Sequence, residues 1–166
     1  TSYMLSKIYG EAIIQAYRLP YLIIRPHNIY GPRMGERHVI PQLLRKVHDD
    51  KTGAIEVFST EHTRTFCFID DAITMIWKLM CNANAVRKII NVGTQYPEIK
   101  MGELALLIMK TIGKKVEIIS MPPTEGSPSR RVPSMEECMS LTDYSSSVSI
   151  ELGLSKTYKW YRDRAF

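Results

Sequence analysis

Tyr3-Met4-Leu5-Ser6-Lys7, followed after Pro20 by Tyr21-Leu22-Ile23-Ile24-Arg25-Pro26-His27-Asn28-Ile29-Tyr30-Gly31-Pro32-Arg33, is the stretch that decides how this chain is read. Residues 3–18 are good helix formers, and Ser2 before them is a suitable N-cap. Pro20 ends the helix. Tyr21 to Arg25 is a short apolar run of the kind that forms a buried strand. Pro26 cannot donate to a ladder and closes it. Asn28 to Gly35 is then a loop, punctuated by Gly31-Pro32 and Gly35.

The same alternation continues outward. Residues 38–48 fit a helix, with Val39, Leu43, Leu44 and Val47 on one side and Pro41 in its first turn. Residues 55–58 and 65–69 read as strands. A helix capped by Asp70 or Asp71 runs to about Cys81. Residues 88–92 form a buried strand, and 101–112 a helix stopped by Gly113. A strand covers 116–120, and short helices cover 134–141 and 149–164. Between them, 121–133 is rich in Pro, Ser and Gly. It is too short for a domain linker, so it is expected to be a functional loop. Helices alternate with strands and nothing repeats, which predicts α/β or α+β packing around a small sheet. Leu43, Leu44, Ile73, Ile76, Trp77, Leu104 and Leu107 recur at helical spacing and are expected in the core.

Composition narrows the function class. The chain has 166 residues, 45% of them apolar and 23% charged, which suits one globular domain. No apolar run approaches the ~18 residues of a membrane span, and no signal sequence opens the chain. The net charge is +5, but the basic residues are scattered. Lys110, Lys114 and Lys115 end a helical pattern, where cations favour the macrodipole. Nucleic acid is therefore not an expected partner, and neither is a membrane. Cys67, Cys81 and Cys138 make no C-x-x-C pair, so a reducing cytoplasm fits. The histidines show no metal-ligand spacing, and no metal site is expected.

Chemistry is concentrated at Tyr3 and Lys7. Four residues apart on a helix, they lie on one face. An ammonium beside a phenol favours the phenolate, and such a pair can exchange a proton with a substrate hydroxyl. Taken alone, the spacing also describes an ordinary exposed pair. The setting is more specific. Beyond the stretch quoted above come Glu61-His62-Thr63-Arg64-Thr65-Phe66-Cys67-Phe68-Ile69-Asp70-Asp71, Ile90-Asn91-Val92-Gly93, Arg130-Arg131-Val132-Pro133-Ser134 and Leu152-Gly153-Leu154-Ser155-Lys156-Thr157-Tyr158-Lys159-Trp160. In order and spacing these segments resemble the extended short-chain dehydrogenase/reductase family, in particular its nucleotide-sugar epimerases and dehydratases. The resemblance covers essentially the whole chain, with Ser134 where the family carries Asp.

The resemblance implies an α/β fold: the C-terminal part of a Rossmann-type sheet plus a smaller α+β substrate-binding domain. Residues 1–33 would be the last part of the NAD-binding domain. Residues 34–166 would mainly bind the sugar nucleotide, with some segments returning to the Rossmann sheet. Tyr3 would be the general acid/base. Lys7 would assist it and bond the nicotinamide ribose, with Pro26 and His27 also at the cofactor. NAD is implied ahead of NADP. The substrate would be a UDP-, GDP- or dTDP-sugar, contacted by Asn28, His38, Val39, Val57, Phe58, Arg64 and Arg130. A guanidinium fork suits phosphate oxygens, and Arg131 could exchange roles with Arg130. Asn28 could equally be a loop-stabilising Asx-turn residue, and Phe58 a core aromatic. Asp70, Asp71 and Arg25 read as structural.

One element of the family is missing: no G-x-x-G-x-x-G follows a strand to receive the cofactor's pyrophosphate. The chain also opens at Thr1 without Met. It is therefore expected to be the C-terminal half of a longer cytoplasmic enzyme, a homodimer when intact, and inactive alone. Epimerase and 4,6-dehydratase are not separable; a decarboxylase fits less well, because Ser6 stands where that branch has Gly. The alternative reading is a non-catalytic nucleotide-sugar-binding module.

Overall fold

Pro20 and Pro26 bracket the first strand as the sequence requires. The computed structural model describes residues 2–166. Helix α1 (Ser2–Ala16) leads to β1 (Leu22–Pro26) and, after the two residues His27 and Asn28, to β2 (Ile29–Tyr30). Then follow α2 (Val39–Asp49), β3 (Ala54–Phe58), β4 (Thr63–Arg64), β5 (Cys67–Phe68) and α3 (Ile69–Met80). A 3-10 turn at Ala83–Ala85 precedes β6 (Lys88–Val92), β7 (Ile99–Lys100) and α4 (Met101–Ile112). The chain ends with β8 (Glu117–Met121), β9 (Arg130–Arg131), α5 (Glu136–Thr142) and α6 (Ile150–Arg164).

The long pairings are parallel: β1 with β6, and β3 with β8. Short parallel pairing joins β2 to β5. β4 lies between β7, antiparallel, and β9, parallel. Parallel strands joined through helices are the α/β pattern expected.

Two apolar clusters hold these layers. One gathers Ile40, Leu44, Val47, Leu104, Ile108 and Leu154 where α2, α4 and α6 meet β3. The other gathers Ala72, Met75 and Leu79 of α3 with Ile90 and Val92 of β6 and Cys138 of α5. On α3 the spacing 72, 75, 79 fixes the face turned to the sheet. Ile73 and Trp77 fall on the opposite side and are 57% and 65% exposed, so the expectation that they belong to the core is corrected. The strand expected over 65–69 is also shortened, to β5 at Cys67–Phe68, with Ile69 opening α3 and the separate strand β4 lying before it at Thr63–Arg64. Asp70 and Asp71 lie inside the first turn of α3, and the N-cap position is Phe68.

Asp71 has a structural task beyond its own helix. Its buried carboxylate accepts from Tyr144 Oη (2.7 Å) and from the backbone N–H groups of Ser147 (3.1 Å) and Val148 (3.0 Å). Burial alone would raise its pKa, but these bonds outweigh that and hold it below the usual carboxylate range. The loop between α5 and α6 is thereby tied to α3. A second constraint lies at Gly153 on α6. A Cβ there would come within 2.0 Å of Tyr30 Oη and 2.9 Å of Phe68 Cδ2.

Two stability changes are expected. Asp71→Asn should cost about 1.5–3 kcal/mol, read as a fall in denaturant midpoint at neutral pH. Because the folded carboxyl is held below its unfolded value, its contribution is present above roughly pH 4 and lost as pH falls through the folded value; the variant should show a flatter acid limb. Gly153→Ala should lower stability by about 1–3 kcal/mol through overpacking against Tyr30, outweighing the better helix propensity of Ala.

Candidate functional site

A cleft of about 330 Å³ opens between α2, β3 and the loop before β9. Val39, Leu43 and Lys46 face it from α2, one helical stripe at i, i+4 and i+7. Glu56 and Phe58 face it from the exposed side of β3, where side chains alternate. Asn28, Arg64 and Phe66 close it on a third side, with Thr124 and Ser127 from the loop. Of the residues singled out in the sequence for substrate contact, Asn28, Val39, Val57, Phe58 and Arg64 therefore line one cleft. Phe58 is 47% exposed and not a core aromatic. His38 lines a smaller adjoining hollow shared with Asn28, Val39 and Phe66.

Arg64 is the buried charge among the four charged residues that line this cleft, Arg37, Lys46, Glu56 and Arg64. It is buried, at 9% exposure. Nη1 donates to the carbonyl of Thr63 (2.7 Å), while Nη2 donates to the carbonyl of Pro128 (2.6 Å) and to Ser127 Oγ (2.9 Å). These partners are neutral, and among the described residues Arg64 makes no ion pair. Burial, and then the charge of Arg131, lower its pKa from the ordinary arginine value. A guanidinium stays protonated regardless, so the cleft holds a desolvated cation with no anion beside it.

The two arginines of β9 differ. Arg131 is the register partner of Arg64 across the β4–β9 pair. Arg130 is exposed and forks onto Glu98, with Nε at 2.9 Å from Oε1 and Nη2 at 2.8 Å from Oε2. Thr63 Oγ1 donates to the same carboxylate. Arg130 first, then Thr63, hold Glu98 below the usual carboxylate range. Neither Arg130 nor Arg131 is among the residues lining the cleft; Arg131 adjoins Arg64 through the strand register, whereas Arg130 is held by Glu98.

Asn28 links the cleft to the end of β1. It adopts a left-handed backbone, φ 44°, which Asn tolerates. Its Nδ2 donates to the carbonyl of Thr65 at 2.9 Å, and its own carbonyl accepts from Cys67 N–H at 3.2 Å. It is thus a loop clip as well as a cleft residue. Just before it, His27 N–H donates to the carbonyl of Val92 (2.8 Å) and Nε2 lies 3.2 Å from Asn91 Oδ1. Gly93 permits this approach, since a Cβ there would lie 3.1 Å from His27 Cβ. Pro26 is exposed at the end of β1.

Tyr3 and Lys7 stand on α1, outside the cleft. Lys7 Nζ lies 5.3 Å from the Tyr3 ring centroid, so the two groups meet on one helix face. Tyr3 is 72% exposed, and α1 has no buried residue. The helix is fastened to β1 by Glu11, whose carboxylate takes both Nε (2.8 Å) and Nη2 (2.5 Å) of Arg25. This supports the structural reading of Arg25.

Several lining residues were not picked out in the sequence. Gln42 and Lys46 were available from helical spacing after Val39, and Glu56 from alternation with Phe58. Thr124 and Ser127 carry no local signal; the grip of Arg64 on their loop brings them to the cleft.

Comparison with known proteins fixes the family. The model of the NAD dependent epimerase/dehydratase family matches residues 1–93. The chain belongs to this family. A GDP-L-fucose synthase from Sinorhizobium fredii is 33% identical, over 95% of this chain and 53% of its own length. A dTDP-4-dehydro-6-deoxy-D-allose reductase from a Streptomyces species is 28% identical, over 96% of this chain and 50% of its own. The chain thus spans about half the length of the curated relatives it matches. A solved UDP-glucuronic acid 4-epimerase from Bacillus cereus, in complex with UDP-glucuronic acid and NAD, superposes with a TM-score of 0.85 at 23% identity, covering 96% of this chain and 51% of that one. That likeness establishes the Rossmann-type epimerase fold.

The charge arrangement predicts unequal roles for the arginines in this family member. Arg64→Ala and Arg131→Ala should each weaken binding of a nucleoside diphosphate by about 10-fold or more, measured by calorimetry. Arg130→Ala, removing a guanidinium already engaged by Glu98, should change it less than about 3-fold.

Proposed function

We propose that this chain supplies the catalytic helix and the sugar-nucleotide cleft of an NAD-dependent enzyme that interconverts an alcohol and a ketone at a sugar carbon of a nucleotide-diphosphate sugar. That step is common to epimerases, reductases and dehydratases of the family; 4-epimerisation and 4,6-dehydration are the overall reactions most in keeping with the residues around Tyr3. The observation that carries the proposal is Arg64, a buried cation that makes no ion pair among the described residues, in a cleft whose other cations are Arg37 and Lys46. A diphosphate supplies the missing charge through short charge-assisted bonds.

In this reading the diphosphate meets Arg64, with its register partner Arg131 alongside, while Arg130 stays engaged by Glu98. Nucleoside and sugar extend from it, the base towards β3 and the sugar towards Asn28. Asn28 follows directly on Pro26 and His27, and this short run of chain joins the cleft to the end of β1. Loops at the carboxyl ends of parallel strands are where such sheets bind ligands. Tyr3, Lys7, Pro26 and His27 would hold the nicotinamide and its ribose; Tyr3 and Lys7 fit that task, since they adjoin and Lys7 has no carboxylate partner among the described residues. When bound, the nicotinamide takes up or returns the hydride.

Tyr3 moves the proton. As phenolate it accepts the proton of the sugar hydroxyl when the alcohol becomes a ketone, and as phenol it returns it in the reverse step. Lys7 stabilises the phenolate by its charge. His38 and Val39, at the start of α2, flank the cleft beside Asn28. The intact enzyme is proposed to be a cytoplasmic homodimer, with residues 1–33 on the cofactor side and most of 34–166 on the substrate side.

Tyr3→Phe in the intact protein tests this directly. Turnover of a panel of UDP-, GDP- and dTDP-sugars, followed by NMR of the products, should fall by at least about 100-fold, with nucleotide binding nearly intact. Turnover equal to the wild type with any of these substrates would defeat the assignment of Tyr3.

A further inference from the structure

The cleft has a polar end distinct from Arg64, and its chemistry bears on which base it takes. Glu56 and Phe58 alternate on the exposed face of β3, so carboxylate and ring stand side by side. Lys46 approaches from α2. Its Nζ donates to the backbone carbonyl of Glu56 at 2.8 Å and lies 5.8 Å from the centroid of the Phe58 ring. The ammonium thus engages the carbonyl of Glu56 rather than its carboxylate, and among the described residues that carboxylate has no ion pair. An ammonium has three donors and uses one here. The site therefore offers a flat apolar platform, an acceptor-only group with two oxygens, and a spare donor, all on the lining of one cleft.

We infer that this cleft selects guanine over uracil and thymine, with Glu56 as the residue that reads the base. The inference rests on the nucleotide-sugar reading above and deepens it. Guanine presents, along one edge, an N2 amino donor, an N1–H donor and the O6 acceptor. Glu56 matches the two adjacent donors with its two oxygens, a paired, charge-assisted contact. Lys46 matches O6. Uracil and thymine present a single N3–H between two carbonyl oxygens, so a carboxylate opposite that edge gains one donor and faces an acceptor. A pyrimidine therefore forfeits one of the two bonds to Glu56 and sets an acceptor against the carboxylate, and the site discriminates for that reason. The bland alternative is a solvated surface glutamate. Its position beside Phe58, on the cleft lining and free of the nearby ammonium, favours the functional one.

The test is equilibrium binding of GDP, UDP and dTDP to the intact protein, wild type and Glu56→Gln, by calorimetry. Glu56 is exposed, so the substitution leaves the fold undisturbed. The wild type should bind GDP more tightly than UDP or dTDP, on the order of 10- to 100-fold. Glutamine offers one acceptor and one donor and so complements N3–H and O4 of a pyrimidine. Glu56→Gln should therefore lose about 10-fold or more in GDP affinity and narrow or invert the preference. Equal binding of all three by the wild type, or an unchanged GDP-to-UDP ratio in the variant, overturns the role of Glu56 while leaving a nucleoside-diphosphate site in place. Binding of none of them overturns the nucleotide-sugar reading itself, and this inference with it.

Discussion

A guanidinium taken out of water must find partners, and Arg64 finds only neutral ones: the carbonyls of Thr63, Pro128 and Ser129 and the hydroxyl of Ser127. Those bonds have two effects at once. They draw the loop before β9 against β4, which shapes the third wall of the cleft. They also leave the positive charge uncancelled, with Arg131 in register beside it. Burying an unpaired charge is costly, and the cost is recovered when an anion enters. A cleft of this kind is an anion site by its electrostatics before any particular ligand is considered.

The rest of the fold serves to hold that geometry. α2 and β3 form the other walls, and both are anchored by the apolar cluster they share with α4 and α6. Tyr30 packs in the same cluster against α6, where only glycine at 153 leaves room. On the other side of the molecule, the β1–β6 pair carries the end of β1 and the residues that follow it, Pro26 to Asn28. Asp71 ties the loop before α6 to α3. Asn28 then clips the end of β1 to Thr65, the residue that follows Arg64. The chain that runs from the end of β1 to the cleft is thus short and held by the backbone hydrogen bonds of His27 to Val92 and of Cys67 to Asn28. α1 stands apart from this, exposed along its length and joined to β1 chiefly through Glu11 and Arg25.

Much of this was legible in the sequence. Prolines at 20 and 26 and glycine at 113 mark element ends by covalent geometry, which does not depend on tertiary context. β1 and β6 pair in parallel and read as short apolar runs, centred on the buried Ile23 and Ile90. The two-residue strands β2, β4, β7 and β9 were not legible, because pairing with distant segments creates them. Ile73 and Trp77 misled for a related reason: α3 has apolar residues on two faces, and only the sheet decides which face is buried. In the site, motif spacing led to Arg64, Asn28 and Phe58. It could not tell Arg130 from Arg131, since neighbours on a strand point to opposite sides and only the register with β4 distinguishes them. Lys46 and Glu56 were visible as periodic partners of Val39 and Phe58, but their meeting across the cleft is a tertiary fact.

The most direct measurement is a crystal structure of the intact protein with a nucleoside diphosphate bound. The account predicts a phosphate oxygen about 2.7–2.9 Å from the Arg64 guanidinium, with the base lying over Phe58 on β3. A diphosphate bound elsewhere, with Arg64 still holding only its neutral partners on Thr63 and the loop before β9, would contradict it.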